Sequence, residues 1–256
     1  MSGRASTVND NPPALVRYGN FLFKWRNTLF PVIMIGFLVG IAPGVPGAGR
    51  AASLWSDFLG LAIVLGGAAL RGLVVGMEYI KRGGLNKKVY ANDLVTGGMF
   101  AHCRNPLYVG NLMIVFGTFV IHGSPWVVLV GGGYFVISYI AIVAAEESFL
   151  RGKFGTQYDA YCAATPRWGI RLGGIGRTLE GYAFNWRRVV IKEYTTDATA
   201  ALTILLVLGY EQIVRHGAGG ALLQLEIIAG AAITIGLVTL AIRTLKKRGR
   251  LREDEG

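Results

Sequence analysis

Thr96-Gly97-Gly98-Met99-Phe100 leads into Arg104-Asn105-Pro106-Leu107-Tyr108-Val109-Gly110, and after two apolar runs come Glu146-Glu147 and Phe154-Gly155-Thr156-Gln157-Tyr158-Asp159-Ala160-Tyr161. Between Asn105 and Ala145 there is no Asp, Glu, Lys or Arg. The two runs are joined by His122-Gly123-Ser124-Pro125, a turn too short for anything except an antiparallel helical hairpin. Charges therefore gather at the two ends of an apolar hairpin, the layout of a site at a membrane surface. Pairing Ile121 with Trp126 at equal depth sets Glu146 and Glu147 level with Phe100 and Ala101, about one turn beyond Arg104. The Gly98 segment, Arg104 and both glutamates are thereby expected at one rim.

The rest of the chain has the same character. Its 256 residues are 52% apolar and only 16% charged, with 37 glycines, which excludes an ordinary soluble domain. Apolar runs at 28–43, 54–80, 105–122, 125–145, 198–214 and 220–243 match the length needed to cross about 30 Å of hydrocarbon. The expected fold is all-α and transmembrane, with about six spans around the hairpin. A polar segment precedes the first run and no small-residue cleavage site follows it, so it is read as a span and not as a signal peptide. Of the 26 Lys and Arg, 23 fall before the first run, between the second and third, at 150–197 and in the tail, and two fall on the opposite face. The positive-inside rule places both termini and the loops 81–104 and 150–197 in the cytoplasm, in an inner-membrane type of setting. The net charge of +11 is then explained by anionic headgroups, with no nucleic-acid partner. Cys103 and Cys162 have no metal-ligand spacing, so neither a disulfide nor a metal is expected.

Three segments follow: 1–95, with an amphipathic interfacial stretch around Leu15 to Trp25 and two spans; 96–170, the hairpin and its flanking motifs; and 171–256, an interfacial helix and two further spans. Gly36 with Gly40, and Gly72 with Gly76, have the spacing that lets helix backbones approach in lipid. Arg71 lies deep in the second run, with Glu78 on nearly the same face. An ionisable group at that depth marks either a functional site or a structural tie to a neighbouring helix.

In the central stretch, two carboxylates at a helix C-terminus need a cation opposite them. Arg104, Arg151 and Lys153 are the available partners for a plain ion pair, and one glutamate can face a ligand while its neighbour, about 100° away, holds a base. Asn105-Pro106 starts a helix whose first turn, with Arg104, suits a carboxylate or phosphate, or else anchors a headgroup. Gly97 and Gly98 permit close backbone approach. Tyr108, Tyr158 and Tyr161 are either interfacial belt residues or site residues.

Taken together, Gly98, Phe100, Arg104, Asn105, Pro106, Tyr108, Gly110, Glu146, Glu147, Leu150, Phe154, Gly155, Tyr158, Tyr161, Pro166 and Arg167 form an ordered double motif. It resembles that of the isoprenylcysteine carboxyl methyltransferase and phospholipid methyltransferase superfamily over residues 96–170. The family often has His where Asn105 stands and Pro-Tyr where Met99-Phe100 stand, and its core does not include the last two spans. The resemblance implies S-adenosylmethionine bound at the cytoplasmic mouth of a helical cavity, and a lipid or isoprenoid-linked acceptor arriving from the bilayer. It also implies O-methylation of a prenylated carboxylate or N-methylation of a phospholipid amine. The cofactor set is then Gly98, Phe100, His102, Arg104, Asn105, Pro106, Tyr108, Glu146 and Glu147, with Arg104 and Glu147 closest to the chemistry. Sterol and steroid reductases are similar in their hairpin and in an Arg-His-Pro-x-Tyr string. They use NADPH, whose phosphates call for a basic cluster where this chain has carboxylates. A non-catalytic lipid-binding member is the third reading, and the filled motif positions weigh against it.

Overall fold

A computed structural model describes residues 12–44, 50–77, 91 and 93–251, so Glu78 and most of the loop 81–95 lie outside the described residues. Every regular element among them is helical. The long helices are α1 (Ala14–Gly40), α2 (Arg50–Met77), α3 (Pro106–His122), α4 (Gly132–Phe154), α7 (Trp186–Gly220) and α8 (Leu222–Lys247); α5 (Thr156–Ala164) and α6 (Ile175–Glu180) are short. A 3₁₀ turn over Gly98–Ala101 precedes α3, and a π-helical turn over Val127–Gly131 leads into α4. Five helices have the length and apolarity of membrane spans, and the shorter Pro106–His122 is the sixth apolar helix. An all-α transmembrane protein is the result.

Two expected interfacial helices are in fact continuous with spans. The Leu15–Trp25 stretch is the first part of α1, and the segment before the fifth run is the first part of α7. No residue between Ala14 and Gly40 breaks the helix except Pro31, and the helix persists through it. The start of α7 is fixed by Asn185, whose side chain accepts the Arg188 amide at 2.8 Å.

The α3–α4 turn is as tight as expected, with Gly123 in the left-handed region (φ +77°). The arms of the hairpin nevertheless find their main partners elsewhere: α3 lies along α2, and α4 along α1. The cause is two backbone crossings that the four-residue glycine spacings did not mark. Gly60 and Gly67 of α2 face Gly117 and Gly110 of α3. A Cβ on Gly60 would come within 2.5 Å of the Gly117 carbonyl oxygen, and one on Gly117 within 2.6 Å of the Gly60 oxygen. The seam thus has a spacing of seven on both helices, which brings the two backbones together along two turns. Gly36 and Gly40 have open space around them, and Gly76 instead receives the Phe184 ring. Outside these pairs, α7 packs on α2 and α3, and α8 packs on α7 with no residue of its own buried.

Candidate active site

The chain from 96 to 106 is held against the chain from 161 to 178 by backbone and side-chain bonds. The Arg104 amide donates to the Pro166 carbonyl (2.9 Å), the Arg171 amide to His102 (3.0 Å), Asn105 Nδ2 to Arg167 (3.0 Å) and the Tyr161 hydroxyl to Phe100 (2.7 Å). Asn105 stands at the N-cap position of α3 without a side-chain cap bond, and Pro106 occupies the first turn, which needs no amide donor. This clamp fixes the direction in which Arg104 leaves the backbone.

Arg104 and the glutamates do converge. Arg104 Nη1 lies 3.2 Å from Glu147 Oε1, and Arg167 binds the same carboxylate with two nitrogens, at 3.0 and 2.6 Å. Arg151 and Lys153, the other candidate partners, turn elsewhere: Arg151 pairs with Asp159 and Lys153 reaches the Ala91 carbonyl. Glu146 points about a quarter-turn away, where its Oε1 accepts the Tyr108 hydroxyl, and Arg26 Nη1 donates to that same hydroxyl at 2.9 Å. The two adjacent carboxylates therefore do different work: Glu147 is clasped by two guanidiniums, and Glu146 belongs to a chain of α1, α3 and α4 side chains. Arg104 Nε is buried and finds no hydrogen-bond partner.

Arg26, Tyr108, Arg104 and both glutamates border one cavity of about 780 Å³, inside the range that takes a drug-sized or nucleoside ligand. Phe100, Arg104, Asn105, Pro106, Tyr108, Glu146 and Glu147 all line it, as do Leu150, Tyr158 and Tyr161. Gly98 and His102 do not. The Gly98 amide donates to Tyr182 Oη (2.8 Å). His102 is buried between the Arg171 carbonyl (Nδ1, 2.6 Å) and Thr178 Oγ1 (Nε2, 2.8 Å). With the Arg171 carbonyl on one ring nitrogen and Thr178 on the other, His102 cross-links the mouth. Burial, and for Tyr158 also the Glu147 charge, pushes the Tyr158 and Tyr161 phenols well up; burial likewise raises the Cys103 thiol. The rim therefore offers neutral aromatic surface around fixed charges.

One turn deeper on α3 than Tyr108, Asn111 meets Arg71. That guanidinium is buried and fully engaged: Nε donates to Glu193 Oε2 (2.8 Å), Nη1 to Asn111 Oδ1 and Nη2 to Thr196 Oγ1 (3.3 Å). Arg71 is both a structural tie to α7 and part of the cavity lining. Arg26, Asn111 and Tyr139 also line the cavity and were missed from sequence. Asn111 carried a signal, being a polar residue one helical turn past Tyr108 in an apolar run. Arg26 did not, because a basic residue near the start of an apolar run is ordinarily a headgroup anchor. Among the described residues no group of three His, Cys, Asp or Glu side chains is placed to hold a metal.

The fold and cavity define a helical membrane protein with a charged, aromatic-walled site at one end of its bundle. Residues 55–157 match the model of the phospholipid methyltransferase family, in line with the motif resemblance. The cobalt-zinc-cadmium resistance protein CzcN of Cupriavidus metallidurans is 36% identical over 81 residues, which cover 32% of this chain and 37% of that protein. The nickel-cobalt-cadmium resistance protein NccN of Alcaligenes xylosoxydans xylosoxydans is 30% identical over 82 residues, 32% of this chain and 38% of that one. The matched part thus spans little more than a third of either relative. No solved structure matches.

Proposed function

We propose that this protein is a membrane-embedded methyltransferase that uses S-adenosylmethionine to methylate a lipid-like acceptor. The observation that carries the reading is the convergence of Arg104, Glu146, Glu147 and Tyr108 on one cavity within the family-matched segment. The donor set suits the cofactor. Arg104, which lines the cavity, offers a bond to a carboxylate, and Glu146 offers one to an ammonium. Phe100, Leu150, Tyr158 and Tyr161 supply the flat apolar surface that an adenosine needs. Glu147 keeps Arg104 in place and prevents two neighbouring guanidiniums from repelling each other.

Once bound, the sulfonium supplies an electrophilic methyl whose bond to sulfur breaks as an oxygen or nitrogen lone pair bonds to carbon, leaving a neutral thioether. The protein's share is orientation and exclusion of water, and the clamped mouth serves both. A carboxylate acceptor needs no base, whereas an amine must arrive neutral. Both Gly98 and His102 act here by holding the mouth together. The excess of basic residues on one set of segments supports a cytoplasmic position for this mouth.

Calorimetry on the purified protein in detergent tests the reading. S-adenosylmethionine is expected to give a saturable heat and NADPH none; the reverse pattern would turn the assignment to a membrane reductase, against which the carboxylates of the rim already count.

A further inference from the structure

Two helices that the family match does not reach, α1 and α7, contribute a wall to the cavity. On the α1 side that wall is apolar at Phe23, Phe30, Pro31 and Met34, and Arg26 stands among them. Among the described residues three guanidiniums line the cavity, those of Arg26, Arg71 and Arg104. Arg71 is matched by Glu193 and Arg104 by Glu147. Arg26 differs. No carboxylate among the described residues comes within ion-pair distance of it, and its hydrogen bond goes to the neutral hydroxyl of Tyr108.

A headgroup anchor extends its charged end out to the interface. Arg26 instead reaches across to α3: its guanidinium carbon lies 4.2 Å from the centre of the Phe23 ring, and Nη1 donates to Tyr108 Oη at 2.9 Å. These two contacts set the orientation of the planar fork. They also set the hydroxyl, because a guanidinium only donates and Tyr108 must turn its single proton to Glu146. Glu146 is thus the nearest counter-charge, separated from Arg26 by the phenol oxygen, and in the reading above it receives the cofactor's ammonium. With that ammonium in place, Arg26 is a surplus cation in a helix long and apolar enough to cross a membrane, a costly arrangement. Its Nε and Nη2 have no protein partner among the described residues. A fork with donors to spare meets the two oxygens of a carboxylate or phosphate with parallel bonds.

We propose that Arg26 is the specificity-determining residue for the methyl acceptor: it binds an anionic group, a carboxylate or a phosphodiester, and so selects acceptors that carry one over neutral ones. The acceptor's anion and the cofactor's ammonium are then held on either side of the Tyr108 hydroxyl, by Arg26 and Glu146 respectively. A helix outside the family-matched segment thereby decides what this chain accepts. This rests on the methyltransferase reading above.

Calorimetry on the full-length protein in detergent, saturated with S-adenosylhomocysteine, tests this with two pairs of probes. N-acetyl-S-farnesylcysteine is compared with its methyl ester, and dihexanoylphosphatidylethanolamine with dihexanoylglycerol, which lacks the phosphodiester. In the unchanged protein one anion-bearing probe is expected to bind at least about tenfold more tightly than its neutral counterpart, the first pair reporting a carboxylate and the second a phosphodiester. Arg26→Gln should bring that preference within about twofold, and Arg26→Lys, which keeps the charge but not the fork, should restore about threefold or more. S-adenosylmethionine affinity should stay within about threefold in both variants. Where Arg26→Gln does not fold, Arg26→Met, which keeps an unbranched stem over Phe23, takes its place. A preference that survives in the neutral variant, or none for either anion in the unchanged protein, overturns the assignment. So does a loss of S-adenosylmethionine affinity of about tenfold in both Arg26→Gln and Arg26→Lys, which would give the residue to the cofactor's own carboxylate. Heat from S-adenosylmethionine without any anion preference overturns the role of Arg26 alone; no heat from S-adenosylmethionine overturns the methyltransferase reading and the acceptor role with it.

Discussion

The mouth of the cavity and its α1/α7 wall are built on opposite plans. Around the mouth, residues 98–105 and 161–178 are cross-linked by main-chain bonds, a buried histidine and a carboxylate held by two arginines. Along the α1/α7 wall the two helices meet in the apolar cluster of Leu38 and Val207, each has its main partners elsewhere, and α7 is tied inward through Arg71. Rigid geometry is needed where charges must meet a small polar ligand to within a few tenths of an ångström. The difference implies that damage at the mouth and damage at the wall have different signatures, and three measurements can break or sharpen that contrast.

The largest effect on ligand binding is expected at the mouth. Arg104→Ala removes a cation that lines the cavity, and S-adenosylmethionine affinity should fall by about 100-fold, the equivalent of one strong charge-assisted bond of about 2–3 kcal/mol. Calorimetry checks it, and an affinity unchanged in this variant would remove Arg104 from the site. Next comes the anchor of the wall. Glu193→Ala leaves the Arg71 charge buried and unpaired, at a cost of about 3–5 kcal/mol, and should lower the melting temperature in detergent while Arg71→Met combined with Glu193→Leu recovers much of the loss. Equal melting temperatures in the single variant and the parent would show that α7 is held by its apolar contacts alone.

The smallest effect is a dependence on pH at the mouth. Cys103, Tyr158 and Tyr161 all have folded-state pKa values raised by burial, so their contribution to stability is complete below the values they take in the unfolded chain, near 8.5 for the thiol and 10 for the phenols, and is lost as pH rises through those values. Melting temperature should therefore be flat in this respect at neutral pH and decline above about pH 8.5. Cys103→Ala should remove the first part of that decline; an identical profile in the variant would place its origin elsewhere.

Much of the mouth was legible beforehand because its parts are local. A charge-free stretch from Asn105 to Ala145, a turn at Gly123 and Pro125 and the Asn-Pro helix start are short-range signals, and together they predicted that Arg104 and the glutamates would share a rim. The division of labour between Glu146 and Glu147 was only half legible. The 100° offset said that they differ, but the second clasping residue, Arg167, comes from a loop whose path no periodicity encodes. Gly98 and His102 were placed at the cofactor by their neighbourhood in sequence; they face the 171–182 segment because the 3₁₀ turn directs them away from the cavity.

From its own residues the chain dictated where helices run, that they lie in lipid, and that one end carries the charges, since each of these follows from solvent preference and backbone propensity over a few turns. Which helices touch was decided only in three dimensions. In a bilayer apolar side chains gain little by choosing one partner over another, so neighbours are selected by shape, here by the absence of side chains at Gly60, Gly67, Gly110 and Gly117. The same three-dimensional packing brings Arg26 to Tyr108 and Arg71 to Glu193, across 82 and 122 residues of chain.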